Sequence, residues 1–159
     1  MSLKKYQLLI LFFIGLTSCI PNDDSNESVK YDPTPYELVY PSYVPDPLIP
    51  QDNPLTKEGV KLGQMLFYET MLSSDESMSC ASCHLQSAGF SDPNTLSIGV
   101  QGLTGHRQAM GVFNMAWNNN GFFWDGRAEV LRHQALLPIQ DPLEMDEALN
   151  NVIAKLSIS

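Results

Sequence analysis

Two cysteines three residues apart, with a histidine directly after the second, constrain this chain more than any other stretch: Cys80-Ala81-Ser82-Cys83-His84. On one helical turn the two sulfurs can reach the two vinyl groups along one edge of a porphyrin and form thioether bonds. The next residue then projects an imidazole toward the iron, where histidine is a good proximal ligand. This is the attachment pattern of c-type haem. It predicts one covalent haem c in the chain, carried by Cys80 and Cys83, with His84 on the iron. A zinc site asks for four ligands, usually in two close pairs, and here His106 and His133 stand alone. A thioredoxin-like pair asks for a strand followed by a helix, whereas a polar loop precedes Cys80.

The chain has 159 residues, one domain's worth at most. At its start Lys4 and Lys5 precede an apolar run from Leu8 to Leu16 that leads into Leu16-Thr17-Ser18-Cys19. A basic start, a short apolar core and small residues make a secretory signal over residues 1–18. The run is too short to span a bilayer as a mature helix. Cys19 falls where a bacterial lipobox would be cut and lipidated, and Ile20 is not the aspartate that retains a lipoprotein at the inner membrane. The expectation is a periplasmic protein, anchored to the outer membrane through lipid on Cys19. Removing residues 1–18 takes away two lysines and no acid, so a formal charge of −9 becomes −11. That excludes nucleic acid as an expected partner and favours a cationic patch on a redox protein.

Residues 19–53 read as an acidic tether rich in proline and tyrosine. Eight of the eleven prolines fall in residues 20–55, and such a stretch cannot bury a core. Tyr31, Tyr36, Tyr40 and Tyr43 are more than a spacer needs, which points some of them at the domain surface. Residues 54–159 form the expected domain, all-α with no strand, helical around one covalent haem that supplies part of the core. Thr56 caps a first helix running through Tyr68, with Gly59 and Gly63 placed for close approach of another backbone. A polar loop covers residues 85–107, and a short apolar helix follows from Met110 to Trp117. Asp125 caps a helix from Gly126 to Leu137 that Pro138 stops. A last helix begins near Asp146 and carries the stripe Leu149, Val152, Ile153 and Leu156.

Several separated motifs now add up. Leu62-Gly63-Gln64-Met65-Leu66-Phe67-Tyr68, Ser97-Ile98-Gly99, Phe123-Trp124-Asp125-Gly126-Arg127-Ala128, and Gln134, Pro138 and Asp141-Pro142-Leu143-Glu144-Met145 follow one another in order. From about Pro54 onward the chain resembles the N-terminal, peroxidatic haem domain of bacterial di-haem cytochrome c peroxidases. The resemblance implies reduction of hydrogen peroxide to water, with electrons from a small cytochrome or copper protein entering through a second haem domain. It matches Trp124 to the tryptophan between the two haems, and Gln134 and Glu144 to the polar residues beside the distal face. It leaves room for a homodimer. A carboxylate over the iron can move a proton from the inner to the outer peroxide oxygen, and burial would raise its pKa toward that task. Read alone, Glu144 is equally a helix-start acid, Trp124 a core residue, and His133 the partner of Glu129 on one helix.

Three departures qualify the resemblance. No second Cys-x-x-Cys-His is present, so either the chain is a fragment or it is a single-haem protein. Val100 stands where the family often has a removable distal histidine, which predicts an open sixth position unless His106 or a methionine supplies a ligand. Gln108 replaces an asparagine associated with interdomain calcium, which puts that metal in doubt. Three other functions stay open. One is an electron-transfer cytochrome ligated by Met110, Met115 or Met145. The second is a related di-haem oxidase that matures a tryptophan-derived cofactor, and the third is a zinc-binding lipoprotein.

Overall fold

A computed structural model describes residues 32–158. Cys19, the signal and the first part of the tether lie outside the described residues. Five helices are present among those described: α1 (Lys57–Phe67), α2 (Cys80–Cys83), α3 (Leu131–Gln134), α4 (Leu137–Gln140) and α5 (Leu149–Leu156). Short 3-10 turns join them, and the only β features among the described residues are four isolated bridges. The all-α expectation holds, with long loops carrying much of the chain.

α1 forms as its sequence predicts. Thr56 is extended and accepts the Gly59 amide on its hydroxyl at 3.0 Å, satisfying an orphan donor of the first turn. The two glycines do not receive another backbone. A Cβ at Gly59 would meet only the Thr56 hydroxyl, and one at Gly63 would meet nothing within 4 Å.

The α5 stripe packs in part. Val152 is buried in a core cluster with Leu72, Ile139 and Met145, and Leu66, Leu149 and Leu156 lie against it. Ile153, fourth member of the stripe, is 63% exposed. The helix begins at Leu149 rather than near Asp146, because Asp146 takes a left-handed φ of 49°. A polar clamp ties α5 down. Lys155 Nζ lies 2.6 Å from Glu147 Oε2 and donates to the Ser73 carbonyl at 2.7 Å and the Met71 carbonyl at 3.2 Å.

Two other helices differ from expectation. Of the Met110–Trp117 helix only a 3-10 turn, Met115–Trp117, forms, since Asn114 before it is left-handed at φ 56°. The expected Gly126–Leu137 helix starts only at Leu131 and spans one turn. Residues 122–128 instead close on themselves through reciprocal amides of Phe122 and Ala128. Gly121 packs there so closely on Gly126 that a Cβ would fall 2.6 Å from its carbonyl oxygen. Pro138 does not stop a helix; it occupies the first turn of α4, where a missing amide costs nothing.

From residue 33 the proline-rich stretch lies along the domain in extended form. Pro35 bridges Thr56, Tyr36 N donates to Leu55 O at 3.0 Å, and Thr34 N donates to Glu58 at 3.0 Å. Tyr40 meets the Trp117 ring edge-on at 5.4 Å, and the Trp117 indole donates to Pro45 O at 2.7 Å. Tyr40 thus lies on the domain surface, as its aromatic character suggests.

Candidate haem and peroxide site

The thiol-bearing turn is held from both ends. Ahead of it the buried Ser73 hydroxyl donates to Thr70 O at 3.0 Å and accepts the Met78 amide at 3.1 Å. At its start Ser79 N donates to the Ser82 hydroxyl at 3.1 Å, and at its end His84 N donates to Cys80 O at 3.0 Å. Cys80 and Cys83 are unbridged, half-buried thiols on one turn. Burial pushes both thiols up from their ordinary values, with Glu144's negative charge a smaller contributor. Neither thiol is thus activated by a lowered pKa, as a catalytic redox pair would be.

His84 is oriented by its neighbours. Residues 85–91 fold back through Leu85 N to Ser91 O at 3.1 Å and Phe90 N to Leu85 O at 2.8 Å. Phe90 is left-handed at φ 55°, and its carbonyl lies 3.2 Å from His84 Nδ1. A carbonyl can only accept, so Nδ1 carries the proton and Nε2 keeps its lone pair for a metal. Two thiols on one turn, followed by an imidazole whose tautomer is fixed for ligation, fit covalent haem.

A cavity of about 390 Å³ opens from this turn, within the usual range for cofactor sites. Cys83 and His84 line it together with Trp124, Gln134 and Glu144, although these come from sequence positions as much as 61 apart. Glu144 is raised above the ordinary carboxylate value, chiefly by burial and then by Asp141, with Arg127 opposing. It is not a helix-start acid, because α5 begins five residues later at Leu149. Glu147 fills that place, accepting Ala148 N at 2.8 Å and the Asn151 side chain at 2.9 Å. Trp124 is not core. It is 63% exposed at the cavity edge, with its indole donating to Gln108 O at 2.8 Å.

The remaining candidates separate. His106 and Met110 line the cavity. Met145 is buried in the core cluster and is not among the lining residues. His133 is exposed, and because α3 starts at Leu131 it shares no helix with Glu129. Gln108 uses its side chain internally, donating to Asp92 O at 3.1 Å and Asn94 O at 3.4 Å. No group of three or more His, Cys, Asp or Glu side chains gathers as metal ligands would among the described residues.

Sequence reasoning missed one cluster. Asp125, expected as a helix cap, instead pairs with Arg107 at 3.3 Å and Arg127 at 3.1 Å, and Arg127 lies 3.5 Å over the Phe123 ring. All four side chains line the cavity. The signal available was Arg127 inside the Trp124 motif itself, two residues after Asp125.

Comparison with known proteins agrees with this geometry. A family model described as di-haem cytochrome c peroxidase matches residues 57–159. The chain is 43% identical over 107 residues to the methylamine utilization protein MauG of Methylorubrum extorquens, covering 67% of this chain and 30% of that protein. It is also 43% identical over 109 residues to the cytochrome c peroxidase Ccp of Escherichia coli, covering 68% and 23% respectively. A crystal structure of a MauG-like protein associated with microbial copper homeostasis superposes with a TM-score of 0.71 at 34% identity, over 78% of this chain and 37% of that one. The chain thus spans less than a third of the length of these two sequence relatives.

Proposed function

The chain belongs to the di-haem cytochrome c peroxidase family, and from that premise we propose that it is the peroxidatic haem domain of such an enzyme, reducing hydrogen peroxide to water. The supporting observation is one cavity lined both by His84, at the end of the thiol-bearing turn, and by a half-buried carboxyl with a raised pKa, Glu144.

Cys80 and Cys83 would hold the macrocycle through thioether bonds, and His84 Nε2 would ligate its iron. The haem, when bound, supplies the iron at which peroxide is reduced and the route by which electrons reach it. Glu144 takes a proton from the inner oxygen of hydrogen peroxide and returns it to the outer oxygen, so that one water leaves. Two electrons and two protons complete the conversion of one peroxide to two waters. Gln134 can orient peroxide by hydrogen bonding without exchanging protons. Trp124 presents an exposed ring at the cavity edge, where a second haem domain would deliver electrons.

The test is Glu144→Gln in the haem-loaded full-length protein. The haem stain is retained and peroxide turnover falls by roughly 10²–10⁴, the scale of general acid–base help. Unchanged turnover refutes the assignment.

A second reading is the related oxidase that matures a tryptophan-derived cofactor. It is favoured by an identity to MauG equal to that with the peroxidase, and Trp124, Gln134 and Glu144 serve either chemistry. Turnover of a precursor protein in place of a small redox donor distinguishes it. We also place the protein in the periplasm, held at the outer membrane by lipid on Cys19. The supporting features are the apolar run, Leu16-Thr17-Ser18-Cys19 and Ile20. A small cationic cytochrome or copper protein suits an acidic surface of this charge as electron donor.

A further inference from the structure

We propose that Gly99 is a positioning residue for Glu144: its lack of a side chain lets two backbones meet at the one distance that seats the carboxyl in the cavity. The inference rests on the reading of Glu144 as proton carrier.

Gly99 is buried, and its need for glycine is spatial, since its φ lies outside the left-handed region. A Cβ built on it would stand 2.6 Å from the Leu143 carbonyl carbon, 2.7 Å from the Glu144 carbonyl oxygen, and nearer still to the Leu143 carbonyl oxygen. Every one of those atoms is main chain, so nothing can rotate aside. Contacts this short force one backbone away from the other.

The same approach makes a bond. Val100 N donates to Glu144 O at 2.9 Å. The loop that brings Gly99 there is itself closed, with Gly99 N on Leu103 O at 2.9 Å and Gly105 N on Ser97 O at 3.1 Å. On the other flank Ser74 N donates to Met145 O at 2.9 Å, and Met145 is anchored in the core. Glu144 is therefore gripped from both sides along its main chain, while its side chain faces the cavity. A Cβ at residue 99 therefore separates the two main chains and opens the Val100–Glu144 bond, so the 143–144 peptide loses the contact that seats the carboxyl. A shift of about 1 Å in a reacting group costs on the order of 10²-fold in rate.

The test uses cyanide binding to the ferric, haem-loaded full-length protein, followed by stopped-flow absorbance. Hydrogen cyanide must lose its proton as it binds, so its association rate reads the nearby base without requiring turnover. Glu144→Gln should slow association by roughly 10²-fold. Gly99→Ala should slow it by up to about 10²-fold in the wild-type background and leave it unchanged in the Glu144→Gln background. Leu103→Ala, which keeps the carbonyl that closes the same loop and lies outside the cavity lining, should bind at the wild-type rate. Equal slowing by Gly99→Ala in both backgrounds, or none in either while Glu144→Gln is slow, overturns the inference alone. A wild-type rate in Glu144→Gln overturns the proton-carrier reading and the inference with it. If Gly99→Ala does not retain haem, the α-hydroxy analogue of valine at position 100 removes only the amide donor to Glu144 O. Slower association supports the proposal, and a wild-type rate refutes it.

Discussion

Replacing Met145 by alanine and by leucine separates its packing from any role at the iron. The side chain is 4% exposed, inside the cluster of Leu72, Ile139 and Val152. Alanine removes three heavy atoms, worth about 2.4 kcal/mol at roughly 0.8 kcal/mol each. A residual void of about 50 Å³ adds about 1.2 kcal/mol. Together these give about 3.5 kcal/mol, which lowers the midpoint of a chain this size by roughly 7–14 °C. Leucine conserves volume and should cost less than about 1.5 kcal/mol. Thermal melts of the haem-loaded protein by far-ultraviolet circular dichroism, with absorption spectra of the same samples, read both quantities. If Met145 ligated the iron, leucine would abolish the sulfur-to-iron charge-transfer band and shift the Soret band. A leucine variant with an altered haem spectrum, or an alanine variant that loses under about 1 kcal/mol, refutes the packing argument.

The clamp at Glu147 predicts acid sensitivity. Hydrogen bonds from Lys155 and then Asn151 hold its carboxyl below the ordinary range, so the stabilisation is present above the unfolded value of about 4.3 and is lost as pH falls through the folded one. Lys155→Met should lower the melting midpoint at neutral pH and flatten its fall toward acid, and parallel curves for the two proteins would contradict this. Cys80 and Cys83 both changed to alanine should abolish the haem stain that survives denaturation and acid–acetone extraction; colour that extracts from the unchanged protein would show the haem is not covalent. Cys19→Ser should move the protein from the membrane fraction to the soluble periplasm, and continued membrane retention would refute lipid anchoring.

Local covalent geometry made the centre of this protein legible without a fold. Two thiols and an imidazole at Cys80, Cys83 and His84 work through one helical turn, and a turn is set by hydrogen bonds four residues apart. The Thr56 cap was readable for the same reason, as was the Leu149, Val152 and Leu156 face of α5. Helix extents were not. Asn114 turns left-handed, and the Phe122–Ala128 closure delays α3 to Leu131, because these segments satisfy their backbone groups outside a helix. Periodicity states which residues can share a face, but only the partner decides how much of it is covered, so Ile153 remains in solvent.

The sequence alone determined what the chain can attach: two sulfurs and an imidazole in one short run. Tertiary structure decided what stands around that attachment. It placed the Phe90 carbonyl on His84 Nδ1, brought Trp124, Gln134 and Glu144 to one cavity, and set Gly99 against the Leu143–Glu144 peptide. Most of these join residues distant in the chain, and the main-chain ones use carbonyls that every residue possesses. Residue identity does not encode them, and partial burial at that cavity is the larger cause of the raised pKa of Glu144, with Asp141 the smaller.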